Sequence, residues 1–349
     1  MVEFNTLFTI LKLLLLFVLY IVCKLLYEFI IRPLRYRARY GKYKNVYMAE
    51  KFVPMLGDLS LVAQNEANKK SKFHHFIDEA LENKGHDLRL LVAGPYIFID
   101  VCSIKALDEF EKLVPSKIDR DEMRDLPIGN LSGGSIAGIK SDEKWTQRCK
   151  EMTKLTGINF CSRHIPTMIE TFDKHIGACP INQEIDLTKV FTNVAFEIIT
   201  KIFFGKDITE SMDEMEYTCP FTGQKSMLKF QDFYPKCVRD QLATFVNPKG
   251  KIFSFLASYD LIEPYKSNDK NLRTCQLSLV NYLDTCKDQE SIYHQLYKSG
   301  NLTQYDCVLD ACQMLFAGFD TSSRSLSGLI CSLKRNPDKL AKLYQELDK

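Results

Sequence analysis

The sequence carries little net charge and no closely spaced cysteine pairs. Lys and Arg number 46 against 44 Asp and Glu, and a formal net charge of +2 predicts no nucleic-acid partner. The twelve cysteines are scattered singly, without a Cys-x-x-Cys pair or a neighbouring His cluster. This pattern argues against a structural zinc site and against a disulfide framework, so a reducing, cytosol-facing compartment is the simpler interpretation.

Phosphate-loop and histidine signals are also missing. The glycine-rich segment 121–139 lacks the spacing and the lysine of a phosphate loop, so nucleotide binding is not expected there. It reads instead as a long loop. The six histidines follow no shared pattern, and each is expected to be solvated or packed rather than a metal ligand: His74, His75, His86, His164, His175 and His294.

The first prominent feature of the sequence is an apolar segment near its N-terminus. A helix over residues 13–31 would span roughly 28 Å, close to the hydrocarbon thickness of a bilayer, and a start near Leu7 is the alternative. Lys24 and Glu28 would then have to snorkel or pair. No small-x-small cleavage site follows, as a signal peptide would require.

A basic segment without acids comes next: Arg32, Arg35, Arg37, Arg39, Lys42 and Lys44. The positive-inside tendency places the rest of the chain in the cytosol, behind one membrane-spanning helix. An interfacial amphipathic helix is the alternative, and membrane lipid is a partner on either interpretation. We predict an anchor over residues 1–31 and a basic linker over 32–52, which runs into a proline-fixed turn.

Beyond the linker the sequence predicts a mainly α fold with a small β-sheet portion. Residues 88–92 and 96–99 read as two strands of a hairpin, and helical periodicity marks 73–83, 103–113 and 187–204. The prolines between 212 and 289 predict several short helices there.

A long helix is predicted near the end of the sequence. Thr303 and Asp306 form a capping pattern, and Asn336-Pro337 is the next clear stop, which leaves about 32 residues or roughly 48 Å of helix. Its second half carries an apolar stripe that is expected to pack: Leu326, Leu329, Ile330 and Leu333.

The middle of this helix contains Ala317-Gly318-Phe319-Asp320-Thr321-Ser322. Gly318 costs about 1 kcal/mol relative to alanine in a helix, and the Asp and Thr side chains compete for backbone groups. Together they predict a local bulge where a hydroxyl and a carboxylate could relay protons to a ligand. A kinked, buried helix with a satisfied threonine is the alternative.

This six-residue segment resembles the (Ala/Gly)-Gly-x-(Asp/Glu)-Thr-(Thr/Ser) signature in the distal helix of cytochrome P-450 monooxygenases. The continuation through Leu347 is similar to that family's next helix, and the anchor, basic segment, proline turn, hairpin and Trp145 follow in the family's order. The resemblance covers essentially the whole chain, although only the distal motif is specific. It implies an incomplete cytochrome P-450-like domain over 53–349, mainly α, preceded by one transmembrane helix.

The resemblance also implies residue roles. Gly318 would leave room for oxygen above the haem, Asp320 and Thr321 would organise the protons that oxygen–oxygen cleavage consumes, and Ala317 would lie against the porphyrin edge. Trp145 and Arg148 would bind a haem propionate. Family members usually carry the arginine four residues after the tryptophan, where this chain has Cys149; a surface arginine beside a core tryptophan is the alternative.

The family's haem-ligating cysteine loop and its Glu-x-x-Arg pair follow the distal helix, and neither occurs in this sequence. We therefore expect a C-terminally truncated chain with no axial cysteine, and an apolar stripe left uncovered on the last helix: Leu340, Leu343, Tyr344 and Leu347.

The function implied is that of a haem-dependent monooxygenase. It would oxidise an apolar small molecule with O2 and electrons from a reductase-type partner, in the endoplasmic reticulum membrane. The chain as given is expected to be inactive and to show no haem-thiolate absorbance. The first alternative is an inactive, membrane-tethered module that binds lipid or protein, and the second is an unrelated helical scaffold.

Overall fold

The computed structural model describes residues 2–50, 52–61, 85–119, 133–158, 162–205, 212–245, 261–285 and 291–348, with 208, 249 and 257. The chain divides into two compact units, Met1–Asp119 and Arg120–Lys349. The helix predicted over 73–83 lies outside the described residues, as does most of the predicted glycine-rich loop. The predicted division into anchor, linker and domain stays a prediction.

The first unit begins with an almost continuous helix. Helix α1 spans Val2–Leu26, a π-helical turn covers Tyr27–Ile31, and α2 spans Arg32–Tyr40. The segment Thr6–Tyr40 is long and apolar enough to cross a membrane. The predicted helix is therefore present, and it begins well before residue 13. Within it, Glu28 accepts a 2.7 Å ion-pair contact from the Arg32 guanidinium, so the acid is paired as expected.

A three-stranded sheet follows in the same unit. Strand β1 (Val46–Tyr47) runs parallel to β2 (Leu88–Ala93), which pairs in antiparallel register with β3 (Tyr96–Val101). The predicted hairpin is confirmed, with Gly94 at φ +60° in its turn. Consecutive apolar residues of β2 are buried, as expected for a central strand.

The proline turn is fixed to the central strand by backbone and side-chain bonds. The Asp58 amide donates to the Val92 carbonyl, and the Val92 amide donates to Asp58 Oδ2 at 2.8 Å. Gly57 has φ +58°, and a Cβ there would lie 2.4 Å from the Val92 carbonyl oxygen, so only glycine fits. Helix α3 (Ile104–Leu113) confirms the helix predicted over 103–113, and the Ser103 side chain caps it by accepting from the Ala106 amide.

The second unit is mostly helical. Its elements in chain order are α4 (Glu143–Leu155), a 3₁₀ turn (Ser162–His164), α5 (Ile165–Gly177), α6 (Leu187–Phe204), β4 (Met215–Thr218), β5 (Lys225–Leu228), α7 (Phe230–Phe245), α8 (Tyr265–Thr285), α9 (Ile292–Lys298), α10 (Gln304–Arg335) and α11 (Pro337–Leu347). Helices α6 and α10 form the most extensive contact. Between them the Phe319 ring lies 5.5 Å from Phe196 and 6.2 Å from Tyr234, in edge-on geometry.

The expectation of short, proline-broken helices between 212 and 289 is wrong for the described ranges 212–245 and 261–285. The structure has the β4–β5 hairpin there and two long helices, and Pro235 lies inside α7. A proline removes one helical hydrogen bond, here to the carbonyl of Gln231, which lies in the exposed first turn where water can replace it. Burial of Phe233 and Tyr234 outweighs that local cost.

The expected packing of the second half of α10 is also wrong. Leu329 is 52% exposed and Ile330 43% exposed in the structure. The first half carries the buried positions instead, including Leu315 and Phe319. On α11, Tyr344 and Leu347 are exposed too, as expected from the sequence.

Helices α5 and α6 are joined by an ion cluster centred on Glu197. Its carboxylate contacts Lys201 at 2.7 Å, His175 at 2.7 Å and Lys174 at 3.0 Å. Burial alone would raise the pKa of Glu197, but the hydrogen bonds from Lys201, His175 and Lys174 outweigh it and lower the pKa to about 2. Because the folded pKa lies below the ordinary value of 4.5, ionised Glu197 stabilises the fold above that pH.

We expect Glu197→Gln to remove on the order of 2 kcal/mol of unfolding free energy at pH 7. The deficit should shrink as the pH falls from about 5 towards 2, since the wild-type carboxylate is then protonated as well. Denaturant unfolding of the detergent-solubilised chain at several pH values measures it. The exposed Glu170→Gln on α5 is the control, and a deficit independent of pH would contradict the prediction.

Candidate functional site

The candidate site lies along α10, and its start is set by the predicted cap. The Asp306 amide donates to Thr303 Oγ1 at 3.1 Å, and the Thr303 hydroxyl donates to the Asp306 carboxylate at 2.9 Å. The helix then runs from Gln304 to Arg335, as predicted. It is α-helical throughout, so the expected bulge at residues 317–322 is wrong. The Thr321 hydroxyl makes its hydrogen bond within the helix, so it does not open the helix.

The hydroxyl and the carboxylate of the motif have different surroundings. Thr321 is exposed, and its Oγ1 donates to the Ala317 carbonyl at 2.6 Å. Ala317 is exposed one turn earlier on nearly the same face. Asp320 is half-buried and accepts from the Arg324 Nε–H at 3.1 Å through both oxygens.

Asp320 borders a polar cleft of about 220 Å³ between α6, α7 and α10. Its walls include the side chains of Asn193, Gln231 and Arg239. A cleft of this size and polarity can hold several water molecules. The carboxylate of Asp320 therefore lies beside a polar space that water can occupy.

Gly318 has a packing reason for its identity. A Cβ at this position would lie 2.9 Å from Ile199 Cδ1 and 3.1 Å from its Cγ1, so the glycine lets α6 and α10 approach closely. The space in the direction of that Cβ is filled by α6. A role of Gly318 in leaving room for oxygen stays a prediction.

The Trp145 side chain uses its hydrogen-bond donor within the protein. Asp142 caps α4 by accepting from the Trp145 amide at 2.8 Å, and the indole Nε1–H donates to the Ile136 carbonyl at 3.0 Å. An indole has only this one donor. In the structure it anchors the short turn 133–139 to α4.

Arg148 is completely buried and donates five hydrogen bonds. Nε donates to Asp310 Oδ2 at 2.8 Å, and one terminal nitrogen donates to the Gly134 carbonyl at 2.8 Å and to Asp306 Oδ1 at 3.3 Å. The other terminal nitrogen donates to the Asp306 carbonyl at 3.2 Å and to Asp310 Oδ1. A guanidinium has five N–H donors, so none remains for another ligand.

Asp310 completes this cluster from the buried side of α10. It also accepts from the Ile136 amide at 2.7 Å, so the same carboxylate holds both α4 and the turn 133–139. Burial raises the pKa of Asp310, and the bonds from Arg148 and the Ile136 amide oppose that rise. For Asp306, burial would raise the pKa, but bonds from Lys144 and Thr303 outweigh it and lower the pKa.

Of the residues that the sequence assigns to a haem group, those on α10 fit it. The exposed face of α10 at Ala317 and Thr321 carries small side chains, and a Cβ at Gly328 further along would meet nothing within 4 Å, so a flat apolar ring could approach this helix closely. The donors of Trp145 and Arg148 are used inside the protein in this structure, so binding of a propionate by this pair would require them to exchange partners. Their role as haem ligands stays a prediction.

Asp306 and Asp310 were not predicted from the sequence as partners of Arg148. A signal was available, since Asp310 interrupts an apolar stretch that also contains Val308 and Cys312. A carboxylate in such a helix must find a cation or pay a large desolvation cost. What the sequence could not show is which of its 46 basic residues supplies that cation.

Metal ligation finds no support among the residues that the structure describes. No group of three or more His, Cys, Asp or Glu side chains there could hold a metal ion. Burial raises the pKa of the Cys312 thiol to about 12, and burial is also the main cause that raises Cys307 to about 12. Both therefore stay protonated at neutral pH, unlike a metal-binding thiolate.

We expect Gly318→Ala to destabilise the protein by about 1–3 kcal/mol, because the added methyl overpacks against Ile199. The change Gly328→Ala on the same helix meets open space and should be neutral or stabilising by up to about 1 kcal/mol. Unfolding in denaturant measures both. Adding Ile199→Ala should remove most of the Gly318→Ala penalty; two independent, additive effects would contradict the contact.

We expect Arg148→Leu to destabilise the second unit by about 3–5 kcal/mol, because it leaves Asp310 buried without its cation. Replacing both partners, as Arg148→Leu with Asp310→Leu, should restore a large part of that loss. The control is Arg324→Leu, which breaks an exposed pair with Asp320 and should cost less than about 1 kcal/mol. Equal losses for the single and double replacements would contradict this account.

Comparison with known proteins agrees with this geometry. The model of a family described as Cytochrome P450 matches residues 145–349. Cytochrome P450 3A30 of Fundulus heteroclitus is 27% identical over 228 residues, which cover 60% of this chain and 44% of that protein. Cytochrome P450 3A1 of Rattus norvegicus is 23% identical over 238 residues, with coverage of 64% and 45%. The chain thus spans less than half the length of these curated relatives, and it belongs to the cytochrome P450 family.

Proposed function

We propose that the protein is a haem-dependent monooxygenase and that α10 supplies the oxygen side of its site. The observation that carries the proposal is the placement of Ala317, Asp320 and Thr321 in one continuous helix, with the acid bordering a polar cleft. The haem, when bound, supplies the activation of dioxygen. The residues of this helix contribute binding, orientation and proton transfer.

The chain's own residues divide that work. The Thr321 hydroxyl is oriented by its bond to the Ala317 carbonyl, so its oxygen lone pairs face away from the helix axis and can accept a hydrogen bond. The Asp320 carboxylate can exchange protons with water in the cleft, and its ion pair with Arg324 holds it at the cleft wall. The small Ala317 side chain limits steric conflict with the ring. Asp320 and Thr321 are thus the proposed catalytic residues.

The remaining parts of the proposal concern partners and location. An apolar substrate and a reductase-type electron donor are what a monooxygenase of this family would use. The exposed, apolar α1 supports membrane attachment, and the basic residues after it support an orientation with the second unit in the cytosol. The endoplasmic reticulum is the proposed membrane.

The proposal is tested with the protein as its own cells express it, in isolated membranes, and not with residues 1–349 alone, from which no haem-thiolate band is expected. Reduction under carbon monoxide should give the shifted Soret band of a haem thiolate. Absence of the band from a protein that still associates with membranes would overturn the proposal and favour the membrane-tethered binding module.

We expect Thr321→Val to lower the yield of an alkoxycoumarin O-dealkylation per NADPH consumed by about tenfold or more, since a positioned proton donor contributes 10²–10⁴. The electrons should appear as hydrogen peroxide, and Thr321→Ser should retain most of the yield. Asp320→Asn should slow turnover and change its solvent isotope effect. The control is Ser322→Ala, an exposed neighbouring hydroxyl. An unchanged product yield in Thr321→Val would contradict the assigned role.

A further inference from the structure

Helix α2 separates its basic side chains into two groups. Arg37 is used inside the unit: its Nη2 donates to the Ala49 carbonyl at 2.6 Å, and its guanidinium lies 5.3 Å from the centre of the Phe52 ring. Arg35 and Arg39, by contrast, are exposed. Because they are four residues apart in a helix, they lie on one face, and Lys42 extends that face past the helix end.

These side chains line a cleft of about 530 Å³ along the helix surface. The cleft is bordered by Arg32, Arg35, Arg39 and Lys42, with Tyr27 and Tyr36 between them. Among the residues that the structure describes, no acid lines it. The nearest acid along the helix, Glu28, is already paired with Arg32. A cleft with several cations and no acid has an anion as its natural ligand.

The position of the cleft indicates where that anion comes from. The apolar helix α1 leads through the π-helical turn straight into α2, so the first cations follow within one or two turns of the apolar stretch. In a membrane, that level is occupied by lipid phosphates, and tyrosines favour the same depth because they have an apolar body and a polar tip. A lipid headgroup is therefore held close to the cleft by the anchor itself.

We propose that this cleft binds the headgroup phosphates of anionic phospholipids. Arg35 and Arg39 match phosphate oxygens through their planar donor forks, Lys42 adds a further positive charge, and Tyr36 supplies a hydroxyl at the same face. The proposal rests on the membrane attachment proposed above. It adds a preference among lipids, which an apolar anchor alone does not produce, since acyl chains are the same under neutral and anionic headgroups.

The test reconstitutes the full chain in phosphatidylcholine vesicles with trace spin-labelled phosphatidylserine or phosphatidylcholine. Electron spin resonance measures the protein-associated fraction of each label. We expect the serine lipid to associate about fivefold more strongly, and the preference to fall to near one in the Arg35→Gln, Arg39→Gln, Lys42→Gln variant. The control removes three exposed cations from the second unit, by Lys334→Gln, Arg335→Gln and Lys342→Gln, and should keep the preference.

Two further arms separate the possible failures. Equal association of both labels with an inserted wild-type chain overturns the lipid site and leaves the anchor intact, whereas a chain that does not insert at all overturns the anchor. Phosphate and chloride compared at the same ionic strength should reduce the preference equally, by screening. A much larger reduction by phosphate would assign the cleft to free phosphate and overturn the lipid assignment.

Discussion

A fully buried arginine is the constraint on which the rest of the second unit depends. An unpaired guanidinium costs several kcal/mol to desolvate, so the fold must bring acceptors to Arg148 from every side. It does so with two carboxylates of α10 and two backbone carbonyls, and Asp310 in turn holds the Ile136 amide. Three separate pieces of chain, α4, the turn 133–139 and the first half of α10, are thereby held in one arrangement.

The hydrogen bonds of Arg148 determine which side-chain donors are available to a haem in this structure. The side chains expected to neutralise a propionate are bound to the protein's own groups, and the Trp145 indole bonds to the same turn that Arg148 fixes. The exposed face of α10 carries small side chains at Ala317 and Thr321, and the Thr321 hydroxyl bonds only within its own helix. Of the two proposed roles, oxygen handling on α10 therefore requires no exchange of hydrogen-bond partners, whereas propionate binding by Trp145 and Arg148 does. Gly318, between the two regions, keeps α6 and α10 in close contact.

The first unit is organised by a different physical requirement. Its long helix is apolar and exposed along α1, and then basic along α2, so one element changes character at the depth where a bilayer changes from hydrocarbon to headgroup. One arginine of α2, Arg37, faces the protein and fixes the chain that follows, while its neighbours face outward. The same short helix thus attaches to the unit through Arg37 and, in our proposal, contacts lipid through its outward-facing cations.

Local features of this protein were determined by the sequence alone. Several local features depend on residues within a few positions of one another. They are the helix caps at Ser103, Asp142, Asp186 and Thr303, the hairpin at Gly94 and the limits of α10. Such short-range signals need no knowledge of the rest of the fold.

Only the tertiary structure decided the features that depend on distant partners. Arg148 and Asp310 are 162 positions apart, and the place of Arg148 on α4 is equally compatible with a haem propionate or a buried aspartate until α10 is positioned beside it. Pro235 stays within a helix, and Leu329 stays exposed, for the same reason: what surrounds a residue in space outweighs its local preference. The motif Ala317–Ser322 was recognisable from sequence, but its regular helical geometry without a bulge, its paired carboxylate and its polar cleft were not.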